Sequence, residues 1–202
     1  MSKEAKKILY FDVETTGLDH KEHEIVQLGL VIEIGGEVKA EANYFMRPDR
    51  PESVTEGSLE ITGKTMEEIM AYPERQQSYF DLTTLLGQHC DKFDSSDKFY
   101  PAGYNVGFDL DFLSSFFKGM NDPYLGSWIN WRQIDPLRIL HFMEAKGDIK
   151  LQDYKLETVC NYLGIKIKAH DAMSDIYATR ELVHLLFEKV SINKLKSNRL
   201  ND

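Results

Sequence analysis

The stretch Ile8-Leu9-Tyr10-Phe11-Asp12-Val13-Glu14-Thr15-Thr16-Gly17 decides the architecture. Side chains alternate across a strand, so Ile8, Tyr10, Asp12 and Glu14 share one face and Leu9, Phe11 and Val13 the other. Both faces begin apolar, which predicts a central strand over 8–13 covered on both sides. Asp12 and Glu14 then sit together at its carboxyl end, where open α/β sheets gather ligands. Read from the strand alone, the pair fits either a strand end emerging into solvent or an acidic site.

Working outward, strands are expected over 24–34 and 37–46, joined at Gly35-Gly36, a pair suited to a two-residue hairpin. A proline-bearing loop follows at 47–56, then a short helical stretch at 58–61 and another after Thr65, a fitting N-cap. Pro73 opens a helix towards Cys90 whose apolar side is Tyr79, Phe80, Leu82, Leu85 and Leu86. A strand over 99–104, a helix over 108–120 and a short strand over 132–134 come next, then helices over 136–145, 156–163 and 171–190. The expected class is α/β, a mixed central sheet of about five strands flanked by helices. One domain would span 1–190, with 191–202 a polar tail that frays. Trp128, Asn130 and Trp131 suit either a stacking platform for a base or a core edge, and the core edge is favoured.

The chain has 202 residues, 24 Lys plus Arg and 33 Asp plus Glu, for a net charge of -9. Such a chain cannot grip a polyanion by bulk electrostatics, unless bound cations reverse the sign locally. An apolar fraction of 42% excludes wholesale disorder. Cys90 and Cys160 lack metal or redox spacing and lie in helical patterns, which predicts two reduced core thiols. The apolar run near the N-terminus ends at Asp12, too soon for a signal-peptide core, and no segment reaches membrane-spanning length. The expectation is a soluble, cytoplasmic protein with no membrane partner.

Two further acids stand in apolar stripes. Asp109 has Phe112, Leu113 and Phe116 at helical spacing, whereas Asp111 points the other way and is set aside. Asp175 has Ala172, Ala178, Thr179, Leu182 and Leu186. A carboxylate so placed costs several kcal/mol unless a cation or metal meets it. Arg180 and Lys168 do not share the Asp175 stripe; a long-range Lys or Arg remains the alternative for each acid singly. Four converging acids would instead need divalent metal, and hard oxygen donors select Mg²⁺ or Mn²⁺ over zinc. That donor set suits a two-metal phosphoryl displacement. His170, five residues before Asp175, fits either a group that takes a proton at neutral pH or a surface or capping histidine. His20, His23, His89, His141 and His184 lack comparable context.

Three segments resemble one family. Phe11-Asp12-Val13-Glu14-Thr15-Thr16-Gly17 is similar to the first exonuclease motif of the DEDD superfamily. Asn105-x-x-Phe108-Asp109-x-x-Phe112-Leu113 is similar to the second, and His170-Asp171-Ala172-Met173-Ser174-Asp175 to the third in its histidine form. The family includes the proofreading epsilon subunit of bacterial DNA polymerase III, and the resemblance spans residues 7–187. It implies a ribonuclease H-like fold and metal-dependent release of nucleoside 5′-monophosphates from a nucleic acid 3′ end. By the same resemblance, Asp12, Glu14 and Asp175 hold a first Mg²⁺ or Mn²⁺, Asp12 and Asp109 a second, and His170 is the general base. Thr15, Thr16, Gly17 and Leu18, with Asn105 and Phe108, would bind the terminal nucleotides. Single-stranded DNA is the favoured substrate, with RNA, as in exoribonucleases of the ribonuclease T and oligoribonuclease type, the alternative. A DNA polymerase subunit is the implied partner. A non-catalytic polymerase-associated subunit is expected to have lost an acid or the histidine, and none is missing.

Two departures stand out. Thr62 and Lys64 occupy the His and Ile positions of the family's Leu-x-x-x-His-Gly-Ile loop, and Ile176 replaces the small residue that often follows the last Asp.

Overall fold

The strand that opens the chain lies at the centre of the fold, as its two apolar faces require. In the computed structural model, which describes residues 6–168 and 171–189, β1 (Lys7–Thr15) runs between β2 (Ile25–Ile34) and β4 (Tyr100–Ala102). β3 (Glu37–Phe45) forms the outer edge, for a strand order of β3-β2-β1-β4. β1 and β2 are antiparallel, as are β2 and β3, while β4 is parallel to β1. Gly35 and Gly36 both have positive φ, 65° and 90°, which matches the right-handed twist of the β2–β3 hairpin at no steric cost. The exposed positions of β3 include Glu37, Lys39 and Glu41, charges that discourage edge-to-edge pairing.

The sheet has four strands, where about five were expected. Residues 132–134 contribute only Ile134, bridged in parallel to Ala102. Two local interactions use up the remaining residues. The Asn130 side chain accepts the Arg132 N–H at 3.0 Å, turning the chain. Asp135 and Pro136 then start a helix, with the Asp135 carboxylate accepting the Leu137 N–H at 3.1 Å.

Among the described residues seven α-helices follow the sheet's logic: α1 (Glu56–Thr62), α2 (Met66–Met70), α3 (Arg75–Gly87), α4 (Val106–Gly119), α5 (Pro136–Lys146), α6 (Leu156–Leu163) and α7 (Ala172–Lys189). Thr65 caps α2 in a reciprocal capping box with Glu68. Phe112, Leu113, Phe116 and Phe117 of α4 close over Leu9, Phe11 and Val13, each buried ring worth about 1.5–3 kcal/mol of transfer free energy. Ile176 and Val183 of α7 cover Ile8, Tyr10 and Val31 on the opposite face. Behind α7, Leu140 of α5 and Val159 and Cys160 of α6 pack against Ala178, Leu182 and Leu186.

Cys90 and Cys160 are both buried free thiols. Trp128 is core, but Trp131 is 83% exposed, which corrects the core-edge expectation for it. Phe80 likewise points outward from α3. No described helix is long and apolar enough to cross a membrane. His170 and the expected tail 191–202 lie outside the described residues.

Candidate active site

Asp12 and Glu14 project from β1 on the face covered by α7. Asp12 stands opposite Gly29 in the β1–β2 ladder. A Cβ on Gly29 would lie 2.8 Å from Ile176 Cδ1 and 3.3 Å from Ala172 Cβ. The bare glycine therefore lets the first turn of α7 settle directly on the sheet beside Asp12. That turn carries Asp175. It is started by Asp171, whose side chain accepts the Ser174 N–H at 3.0 Å, and whose carbonyl accepts the Asp175 N–H at 2.9 Å. Sequence reasoning missed Gly29, because a glycine in an apolar strand shows its role only when the covering helix is known.

Asp109 arrives from the other side of the sheet. β4 pairs with β1 only from Ile8 to Tyr10, so the edge of β1 beyond that point lacks a strand. Asn105 adopts a left-handed turn, φ 61°, and opens α4 there. Its N–H is held by Asp135 Oδ1 at 3.1 Å. Asp109, one turn into the helix, is 4% exposed and accepts the Val13 N–H at 3.1 Å through Oδ1. A backbone donor left over where the ladder stops thus anchors the carboxylate. Asp135, also buried, was not anticipated; Asp-Pro before a helical pattern is the signal that marks it as a cap.

The charge pattern is unusual. Burial and the neighbouring Asp109, Glu14 and Asp175 carboxylates push the Asp12 pKa well above the ordinary value. Burial and the nearby Asp175 push Glu14 up to about 7, against a smaller opposing pull from the Lys64 ammonium. Burial raises Asp109 to about 7 despite its bond from Val13. No Lys or Arg among the described residues forms an ion pair with Asp12, Glu14 or Asp109. Arg180 is held by buried Glu33, Nε to Oε2 2.7 Å. The four carboxylates are electrostatic neighbours without forming a closed cage: among the described residues no three Asp, Glu, His or Cys side chains are drawn around one ion-sized point. Their chemistry fits hard divalent cations, since oxygen-only donors carrying mutual repulsion favour Mg²⁺ or Mn²⁺ over softer metals.

Of the remaining expected residues, Thr16 is 1% exposed, and its hydroxyl accepts the Glu24 N–H at 2.9 Å. Its carbonyl accepts the Thr55 N–H at 2.9 Å. Thr16 thus pins the 17–23 loop and the start of α1 to the end of β1. Thr15 donates its hydroxyl to the Gly17 carbonyl at 2.7 Å. Gly17 is buried against the His23 ring. Leu18 is 83% exposed at the loop's outer tip. Asn105 is exposed, and the Phe108 ring packs on Phe112 with centroids 4.8 Å apart. Lys64, just past the left-handed Gly63 that ends α1, lies within electrostatic reach of Glu14.

A family model described as exonuclease matches residues 9–183. The chain is 28% identical over 193 residues to the DNA polymerase III PolC-type protein of Oceanobacillus iheyensis, covering 93% of this chain and 12% of that protein. It is 27% identical over 156 residues to exodeoxyribonuclease I of Escherichia coli, covering 71% of this chain and 31% of that protein. The crystal structure of E. coli exonuclease I in complex with a dT13 oligonucleotide shares the fold, with a TM-score of 0.74 and 23% identity. That match covers 96% of this chain and 43% of that one. The chain spans about one eighth of the length of the PolC-type relatives.

Proposed function

The chain belongs to the exonuclease family, and on that premise we propose that it hydrolyses phosphodiester bonds at the 3′ end of single-stranded DNA, releasing nucleoside 5′-monophosphates. The observation that carries the reading is the gathering of Asp12, Glu14, Asp109 and Asp175 at the end of β1, where burial, and after it neighbouring carboxylates, hold the Asp12, Glu14 and Asp109 pKa values above the ordinary range. Buried acids gathered in this way suit a site where countercharge arrives with substrate and metal. DNA is chosen because the relatives at 27–28% identity are named for a DNA polymerase and an exodeoxyribonuclease.

Asp12, Glu14 and Asp175, which do not close around one point on their own, would be drawn together by one Mg²⁺ or Mn²⁺, and Asp12 with Asp109 would hold a second. Bound there, such ions lower the pKa of water and offset charge on the phosphate oxygens. Asp109 keeps its orientation through the Val13 N–H, so its carboxylate is held without a rotamer search. His170 is assigned the proton of the attacking water. As water's oxygen bonds to phosphorus, the P–O3′ bond breaks and the O3′ of the shortened strand takes up a proton. Leu18, exposed on a loop pinned by Thr16, would touch the terminal base without reading its identity. The PolC-type relatives carry the matching segment inside a polymerase, which supports a role beside a DNA polymerase in proofreading or repair.

The test is digestion of 5′-labelled single-stranded DNA, with RNA of matched sequence alongside. Progressive shortening of DNA from the 3′ end in Mg²⁺ or Mn²⁺, abolished by chelator and by Asp12→Ala, is the expected result. Hydrolysis undiminished in Asp12→Ala would refute the reading.

A further inference from the structure

A groove of about 670 Å³ runs between the outer side of α4 and the segment 123–133. It begins at Leu110, the residue after Asp109, passes Ser114 one turn further along, and ends beside Lys98. Its lining includes Lys98, Arg132 and Trp131 and no acidic residue, on a chain whose net charge is -9. Trp131 is 83% exposed, a large apolar surface to leave in water at the rim of a groove. The Arg132 guanidinium lies 5.4 Å from the centre of its ring, steadying one face and leaving the other open.

Further cations flank the groove, and of the acids nearby Asp97 is paired with Lys7 at 2.5 Å while Asp94 lies within electrostatic reach of Lys98. Lys98 points its ammonium at the Ser127 carbonyl and, at 3.3 Å, the Lys92 carbonyl, so its charge is held in place without a carboxylate. Lys6 donates to the Tyr100 hydroxyl at 3.3 Å. Lys6, Lys98 and Arg132 form no ion pair among the described residues. Cations kept unpaired around an open aromatic face match a polyanion carrying flat rings, which is the chemistry of single-stranded nucleic acid. An acidic polypeptide would satisfy the cations but leave the exposed indole face without a purpose.

We propose that this groove, with Trp131 as stacking platform and Arg132 and Lys98 as phosphate contacts, is a second binding site for the substrate strand, upstream of its 3′ end. The proposal deepens the exonuclease reading and rests on it for the direction of the strand. Stacking and phosphate attraction are both indifferent to sequence, so the groove would add affinity for long strands without restricting which are degraded.

The experiment compares the wild type with Trp131→Ala, Trp131→Phe and Arg132→Gln, all exposed positions, on two substrates in Mn²⁺. One is a dT20 oligonucleotide. The other is the p-nitrophenyl ester of thymidine 5′-monophosphate, too small to leave the cleavage site. Trp131→Ala is expected to raise KM for dT20 about tenfold, the scale of one lost base stack, and to leave the ester's kinetics unchanged. Trp131→Phe should restore most of the loss. Arg132→Gln should raise KM and lessen the slope of log KM against log salt by about 0.7. Equal KM for dT20 in all four proteins would overturn the groove, as would equal loss on both substrates. Fluorescence anisotropy of labelled dT20 in chelator keeps the two readings apart. If the wild type hydrolyses neither substrate, the exonuclease reading fails, while weaker dT20 binding by Trp131→Ala still supports the groove. Wild-type protein that binds an acidic peptide but not dT20 overturns it.

Discussion

Ile176 fills the space that Gly29 leaves empty. A methyl group on Gly29 would stand 2.8 Å from Ile176 Cδ1, closer than carbon atoms approach without displacement. The residue after the last acid is large here, where the family often has a small one, and a strand glycine accommodates it. Gly29→Ala should therefore lift the first turn of α7 off the sheet and move Asp175 from Asp12. The expected outcome is a kcat loss of tenfold or more, at a stability cost of about 1–3 kcal/mol. Ile176→Ala added to Gly29→Ala should recover much of the kcat, and a double-mutant cycle on activity and Tm measures the coupling.

Asp109 has two tasks that one pair of variants separates. Asp109→Asn keeps an oxygen for the Val13 N–H and removes the charge. Activity is expected to drop at least a hundredfold, with Tm unchanged or raised. Asp109→Ala removes the acceptor too, leaving a buried donor unmet at a cost of about 1–3 kcal/mol. Thermal unfolding of the two proteins side by side distinguishes charge from support.

The raised carboxylates make stability depend on pH in a defined direction. Glu14 and Asp109 start from ordinary values of 4.5 and 3.8 and reach about 7 when folded. Between those values the native state binds protons that the unfolded chain has released. The stability this supplies is complete below about pH 4 and is lost as pH rises through 7. Metal-free protein should consequently melt lower at pH 8 than at pH 5.5, as far as these groups decide it. Asp12→Asn, with one repelling charge removed, should raise Tm at pH 8 more than at pH 5.5. A Tm for Asp12→Asn below that of the wild type at pH 8 would contradict the repulsion.

Glu24 and Arg75 form a buried ion pair that ties the start of β2 to α3, with Asp49 3.4 Å from the same guanidinium nitrogen. The Arg75 guanidinium also lies 5.2 Å from the centre of the Phe116 ring. Arg75→Ala leaves the buried Glu24 carboxylate with only the Arg50 N–H at 2.8 Å and the half-exposed Arg50 guanidinium at 3.7 Å, and should cost about 3 kcal/mol. Arg75→Met with Glu24→Gln, which removes both charges, should cost much less. Urea unfolding of each variant measures the difference.

Much of the frame could be read from alternation and stripe alone. The two apolar faces of 8–13 announced a central strand, Gly35-Gly36 announced the hairpin, and Thr65 announced a capped helix. Asp109 and Asp175 were conspicuous because acids in apolar stripes break a local rule, and functional sites are where such breaks are tolerated. The number of strands was not legible, since the turn at Asn130 and the cap at Asp135 compete with strand pairing over only a few residues. Trp131 misled for a related reason: an aromatic beside a core tryptophan reads as packing until the turn that rotates it outward is known. Gly29 acts through a distant helix and carries no pattern of its own, whereas Asp135-Pro136 signals a helix cap but not the second task of Asp135, holding the Asn105 N–H.

The most direct measurement is calorimetric titration of Mn²⁺, with thymidine 5′-monophosphate present, into the wild type and into Asp12→Asn, Glu14→Gln, Asp109→Asn and Asp175→Asn. Asp12, Glu14, Asp109 and Asp175 acting as one donor set predicts two ions bound by the wild type and a weakened or lost ion in every variant, most severely in Asp12→Asn. Unchanged Mn²⁺ binding in Asp12→Asn would contradict it.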